Sequence, residues 1–127
     1  MAQFDYDFAY DPPAPVVPIG IANPDDGRPP LRVQALIDSG SDATMIPLTI
    51  LQKSGVYSGE QVSFRGVTGS RMIADVFRVV IHMPTGISYG IRAIATRGNV
   101  EVILGRDVLN QWRITLDGPG EIVEIEA

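Results

Sequence analysis

The sequence predicts an all-β, barrel-like domain, and three observations lead there. Short runs rich in Val and Ile recur along the chain, each only a few residues long. Thirteen glycines and ten prolines among 127 residues punctuate those runs as turns. Only two stretches, 47–55 and 107–112, read as helix, and both are brief. No internal repeat is evident.

Residues 1–15 carry aromatic and acidic side chains followed by Pro12, Pro13 and Pro15, which favours an extended N-terminal arm. Residues 16–127 read as one domain. Val16 to Ala22 forms a first strand, with Pro18 pointing to an edge or a strand start. Asn23-Pro24-Asp25-Asp26-Gly27 is a turn, and Leu31 to Ile37 returns as the second strand of a hairpin. Pro47 to Gly55 has the proline-first, glycine-last signature of a short helix.

Gln61 to Met72 gives two strand-like stretches around a hairpin tip at Gly66-Val67-Thr68-Gly69. Phe77 to Met83 is β-branched and alternating; Pro84-Thr85-Gly86 turns it, and Ile87 to Ala95 runs back. Val100 to Leu104 is a short apolar strand. Asp107 to Trp112 makes one or two helical turns with Val108, Leu109 and Trp112 on one side. Ile114–Leu116 and Ile122–Ile125 are strands around Gly118-Pro119-Gly120.

Composition narrows the function. Hydrophobic residues make up 45% and charged residues 20%, ordinary for a single globular domain. Ten Lys and Arg are scattered against fifteen Asp and Glu, a net charge of -5, so no nucleic-acid partner is expected. No cysteine is present, which removes disulfides, thiolate metal sites and cysteine nucleophiles. A single histidine, His82, cannot build a zinc hydrolase; no metal and no cofactor are expected, and His82 is assigned no role. Trp112 reads as a core plug. The N-terminus lacks a secretory pattern, and no run nears the roughly 20 apolar residues of a membrane span. The expected address is cytoplasmic, with no membrane partner.

The chemistry lies in Ala35-Leu36-Ile37-Asp38-Ser39-Gly40-Ser41-Asp42-Ala43-Thr44. An apolar strand ends abruptly in a carboxylate. Small Ser39 and Gly40 let the backbone turn sharply and bring amide N–H groups towards it. Asp38-Ser39-Gly40 resembles the Asp-Thr/Ser-Gly signature of aspartic proteases, although the tripeptide alone is also ordinary turn chemistry. Downstream, Val102-Ile103-Leu104-Gly105-Arg106-Asp107 resembles the apolar-apolar-Gly motif of that family and the Gly-Arg-Asn/Asp that opens its helix. Together these motifs identify a resemblance to the retropepsin-like (retroviral-type, clan AA) aspartic proteases, covering roughly Val16 to Trp112.

The resemblance implies a closed, single-lobe acid-protease barrel with one or two short helices. It implies catalysis by Asp38, with Ser39 and Gly40 shaping the loop and Ser39 able to hydrogen-bond across a two-fold axis. Ile103, Leu104 and Gly105 would pass beside that loop, and Arg106 would pair with Asp42. Gly66, Val67, Thr68 and Gly69 would form the flap over a polypeptide substrate, with Leu36, Ile46, Val67 and Ile73 expected to line side-chain pockets. Ser41 stands where retroviral members often have Ala, as in many cellular ones.

Carboxylate-catalysed peptide hydrolysis needs two carboxyls in contact, sharing one proton. This chain has one Asp-Ser-Gly; Asp117-Gly118 lacks the hydroxyl residue and Asp26-Gly27 reads as a turn. The second Asp38 must come from another copy, so an obligate homodimer is expected. Its interface is expected to interleave the two C-terminal strands with part of the N-terminal arm. Two other readings remain open: a catalytically silent dimeric peptide-binding module, and a structural protein in which Asp38 is only a turn residue. The arm could be a processed or a self-inhibiting segment.

Overall fold

The computed structural model describes residues 1–57, 59–65 and 69–126. Its elements run β1 (Ala2–Asp5), β2 (Val16–Ala22), β3 (Leu31–Ile37), β4 (Met45–Pro47), α1 (Leu48–Lys53), β5 (Glu60–Arg65), β6 (Arg71–His82), β7 (Ser88–Thr96), β8 (Val102–Leu104), α2 (Arg106–Leu109), β9 (Arg113–Asp117) and β10 (Ile122–Glu126). The larger sheet is ordered β2-β3-β8-β4-β7-β6-β5, and β2 pairs with β6 as well. That extra pairing closes six strands into a barrel and leaves β5 attached outside the ring. None of the described helices is long and apolar enough to cross a membrane.

Pro18 is accommodated by where the closure falls. It lies opposite Gln34 of β3, and the pairing of β2 with β6 begins only at Gly20. The missing N–H therefore interrupts no second ladder. β2 is buried almost throughout, whereas β3 alternates until Ala35 and Ile37 enter the core.

Helix α1 ends as the Pro47-to-Gly55 pattern predicts. Gly55 takes φ 83°, its N–H reaches Gln52 O and the Val56 N–H reaches Leu51 O. Those two bonds satisfy carbonyls that a helix end leaves open, and the left-handed turn favours glycine. Strand β8 starts two residues later than expected. Asn99 Oδ1 accepts the Glu101 N–H at 3.2 Å, an Asx turn that holds the chain out of the ladder, and Val100 is left exposed.

β6 is long and serves three neighbours, the barrel-closing β2 at Val80 to His82 among them. Arg71 to Val76 pairs with β5, and Val76 to His82 pairs with β7. Its first residues, Arg71 to Ile73, are exposed, and its barrel portion is buried at Val76, Phe77, Val79 and Ile81. The β5–β6 hairpin thus projects beyond the barrel wall. Of the expected hairpin tip, Gly69 has φ 82°, and Gly66, Val67 and Thr68 lie outside the described residues.

The termini form a second, three-stranded sheet, β1-β10-β9, entirely within one chain. Phe4 lies opposite Val123, and Ile125 lies between Ala2 and Ile114. Val123 and Ile125 are fully buried in the same cluster as barrel residues Val17, Ile81 and Leu104. The extended N-terminal segment is therefore docked as a strand on the C-terminal strand of the same chain. Behind β1, the Pro-rich stretch is closed by backbone bonds between Asp7 and Ala14, and Tyr10 Oη donates to Glu101 at 3.1 Å. Trp112 is half-buried against the core, and its indole N–H donates to Tyr89 Oη at 3.0 Å.

Truncating Ile125→Ala should cost about 2–5 kcal/mol, because the vacated volume faces the barrel core. Urea unfolding of wild type and variant measures it; a cost near zero would mean that the terminal sheet is not part of the core. Burial, then the Glu101 carboxylate and Asp7, raise the Tyr10 phenol above its usual value. The neutral phenol is the form the fold favours, so this contribution is complete below the free-tyrosine pKa and is lost as pH climbs through the raised one. Alkaline absorbance titration should show one late-ionising tyrosine that disappears in Tyr10→Phe.

Candidate active site

Asp38 stands at the mouth of the barrel because two ladders end there. β3 runs parallel to β8, with Leu36 opposite Ile103 and Ile37 opposite Leu104. The last bonds of this region are Ile37 N–H to Pro15 O at 3.0 Å and Asp38 N–H to Leu104 O at 3.1 Å. The chain then turns: the Ser41 N–H reaches Asp38 O at 3.1 Å, and the Gly40 N–H donates to Asp38 Oδ1 at 2.9 Å. Asp38 is half-buried, with its carboxylate held by the backbone of its own loop. A side chain on residue 40 would sit 3.1 Å from that oxygen, so glycine keeps the approach open.

The β8–α2 corner clamps this loop from outside. The Arg106 N–H donates to Ser41 O at 2.8 Å, and Nη1 donates to Ser39 O at 2.7 Å. The other guanidinium nitrogen, Nη2, pairs with Asp42, as the family resemblance implies. The Asp42 side chain is 88% exposed, so the ion pair itself contributes at most about 1 kcal/mol. Its main effect is to fix the guanidinium that holds Ser39 O.

Beneath lies a buried network that sequence reasoning missed. Thr44 is fully buried. Its hydroxyl donates to Asp107 Oδ1 at 2.8 Å, and its N–H donates to Asp107 Oδ2 at 3.0 Å. The Gly105 N–H donates to Thr44 Oγ1 at 3.2 Å, and the Ile94 N–H reaches Thr44 O at 2.9 Å. Asp107 also accepts the Val108 N–H at 2.9 Å, so one carboxylate serves both the loop and the start of α2. The available signal was an acidic residue in the first turn of a helix directly after Gly-Arg. Gly105 is forced: a Cβ there would lie 2.5 Å from the carbonyl carbon and oxygen of Ala43.

Above the loop opens a cleft of about 770 Å³, with Asp38 and Gly40 on its floor and apolar walls of Met45, Val62, Ala74 and Ile94. Arg92, paired with Glu60 of β5, stands at its edge. The expected pocket residues need correction. Ile46 is fully buried in the core, and its neighbour Met45 faces the cleft, because β4 alternates one residue out of phase with the expectation. Ile73 is 72% exposed on the projecting hairpin; neither it nor Leu36 lines the cleft. Val67 lies outside the described residues.

A closed β-barrel presenting one Asp-Ser-Gly loop, braced by a Gly-Arg-Asp corner, defines the retropepsin-like class of aspartic proteases. A family model described as "Retroviral aspartyl protease" matches residues 12–117, and this chain belongs to that family. Solved structures agree on the fold. A retropepsin-like aspartic protease from Rickettsia conorii superposes with a TM-score of 0.72 at 10% identity, covering 98% of this chain and 88% of that one. The EIAV protease in complex with the inhibitor HBY-793 gives 0.54 at 23% identity, covering 77% and 86%. The retroviral protease-like domain of Ddi1 from Leishmania major gives 0.55 at 17% identity, covering 89% and 88%. No curated protein sequence matches the chain significantly.

Replacing Gly105→Ala should destabilise the fold by at least about 2 kcal/mol, since the added methyl meets backbone that cannot step aside. Chemical denaturation measures it, and an unchanged midpoint would contradict the close approach.

Proposed function

We propose that this chain is an aspartic endopeptidase that works as a homodimer, each subunit giving one Asp38 to a shared site. The observation that carries the reading is Asp38 itself: a carboxylate presented by backbone N–H at the floor of a large apolar-walled cleft. Family membership supports it. A lone carboxylate can neither activate water and polarise a carbonyl at once nor share its proton, so a second is required.

In the dimer, a water lies between the two Asp38 carboxyls. The ionised one takes its proton as the water attacks the scissile carbonyl, and the protonated one donates to the carbonyl oxygen. The tetrahedral intermediate collapses as a proton passes to the leaving amine. No covalent enzyme intermediate forms. Ser39 supplies a hydroxyl beside the axis, and Arg106 with Asp42 keeps the loop from yielding. The substrate lies extended between the cleft floor and the β5–β6 hairpin, adding as a strand whose alternate side chains enter apolar pockets. Gly66 to Gly69 close over it and exclude water.

Purified protein incubated with a peptide library tests the reading. Wild type should cleave, with activity per chain rising with protein concentration. Asp38→Asn should lower turnover by ~10²–10⁴-fold. Equal processing by wild type and variant would end the protease reading and leave the silent peptide-binding module.

A further inference from the structure

Strand pairing carries one row of side chains out of the cleft. β6 and β7 run antiparallel, with Val76 opposite Ile94, Arg78 opposite Arg92 and Val80 opposite Gly90. Alternate residues share a face, so this row stands on the side of the sheet away from the core residues Phe77, Val79 and Ala93. Val76 and Ile94 line the cleft, and Arg92 stands at its edge. Arg92 also borders a second hollow of about 280 Å³, together with Arg78, Val80, Gly90 and, from the β2–β3 turn, Pro24. Four residues of strand separate Ile94 from Gly90, so the row reaches about 13 Å beyond the cleft wall.

Gly90 has no reason inside the chain. Glycine within a strand weakens it, and it commonly marks a bulge, a bend or the close approach of a ligand or another backbone. The register runs unbroken from Val79 opposite Ile91 to Ile81 opposite Tyr89, so there is no bulge. Gly90 is not among the residues with positive φ. A Cβ there would meet no other atom within 4 Å among the described residues. The missing side chain leaves room on the outer surface only.

The charge of the hollow is also unbalanced. Like charges opposite one another in a ladder repel. Arg92 has Glu60 as its partner, but Arg78 makes no ion pair among the described residues. Asp25 lines the neighbouring pocket that Arg78 and Glu60 share, and it is not paired with Arg78. Two guanidiniums against one engaged carboxylate leave a spare cation here, on a chain of net charge -5.

We propose that this hollow is a remote recognition site for the polypeptide substrate, where Arg78, with Arg92 beside it, takes an Asp or Glu side chain lying outside the residues that fill the cleft. The planar guanidinium offers a carboxylate two parallel N–H donors, and the anion relieves the repulsion between the two arginines. The substrate backbone crosses at Gly90, where no side chain stands in its way. Continuity with the cleft selects this occupant. A segment already held there has only to continue past Arg92, so even a weak second contact forms at high effective concentration. The inference rests on the endopeptidase reading, and a two-fold dimer would offer one such site towards each end of the substrate.

Two peptide libraries test it, sharing random central residues and carrying either Glu or Gln at the outer positions. Wild type should cleave the Glu library about fivefold better in kcat/KM, through KM, because one charge-assisted pair is at stake. Arg78→Gln should bring that ratio close to one. Gly90→Val, which fills the hollow without altering a charge and meets no atom of the chain, should do the same. A wild type that cleaves both libraries alike, or variants that keep the wild-type ratio, would overturn the site and leave the protease reading intact. If nothing is cleaved, the protease reading falls, and fluorescence anisotropy of the labelled libraries still decides the site. Tighter binding of Glu peptides that Arg78→Gln abolishes would sustain it; equal binding would overturn it.

Discussion

The Asp38 loop depends on one close approach, the backbone of Gly105 against that of Ala43. Only a residue without a side chain permits it, and it lets Thr44 and Asp107 meet in the buried space behind. A fully buried hydroxyl would be costly if unpaired. Here it donates to Asp107 and accepts from Gly105, so the polar groups hold the loop's geometry without leaving an orphan. Everything on the cleft side inherits that rigidity: the Asp38 turn, the Ser39 carbonyl under Arg106 and the path of β4 into the wall. Placement of the Asp38 carboxylate rests on packing beneath it more than on the exposed ion pair beside it.

The parts legible in the sequence are those whose cause is local or whose spacing is stereotyped. Asp38-Ser39-Gly40 announces a sharp turn. Asp42 and Arg106 could be paired because each stands at a fixed offset from a recognisable motif. Gly105 could be read because glycine is informative by itself. Thr44 and Asp107 were passed over, since a threonine leaving a turn and an aspartate opening a helix have ordinary local explanations. Their meeting is a tertiary fact.

Other differences have equally specific origins. β4 is three residues long, too short for alternation to reveal that Met45 faces the cleft and Ile46 the core. Proline content dominated the reading of residues 1–15 and hid the strand Ala2–Asp5, whose partner lies at the far end of the chain. The Asx turn at Asn99 could be found only by asking where the Glu101 N–H goes, because Val100 to Leu104 is apolar without interruption.

The intrachain terminal sheet separates two processes that an interleaved dimer would merge. All of the buried core described here, Val123 and Ile125 included, is contributed by a single polypeptide. Reaching that core is a first-order event whose rate ignores dilution, whereas acquiring the second Asp38 of the proposed homodimer would be second-order. Under the proposed homodimer reading a folded single subunit would be dormant, and local protein concentration would become the variable that turns chemistry on.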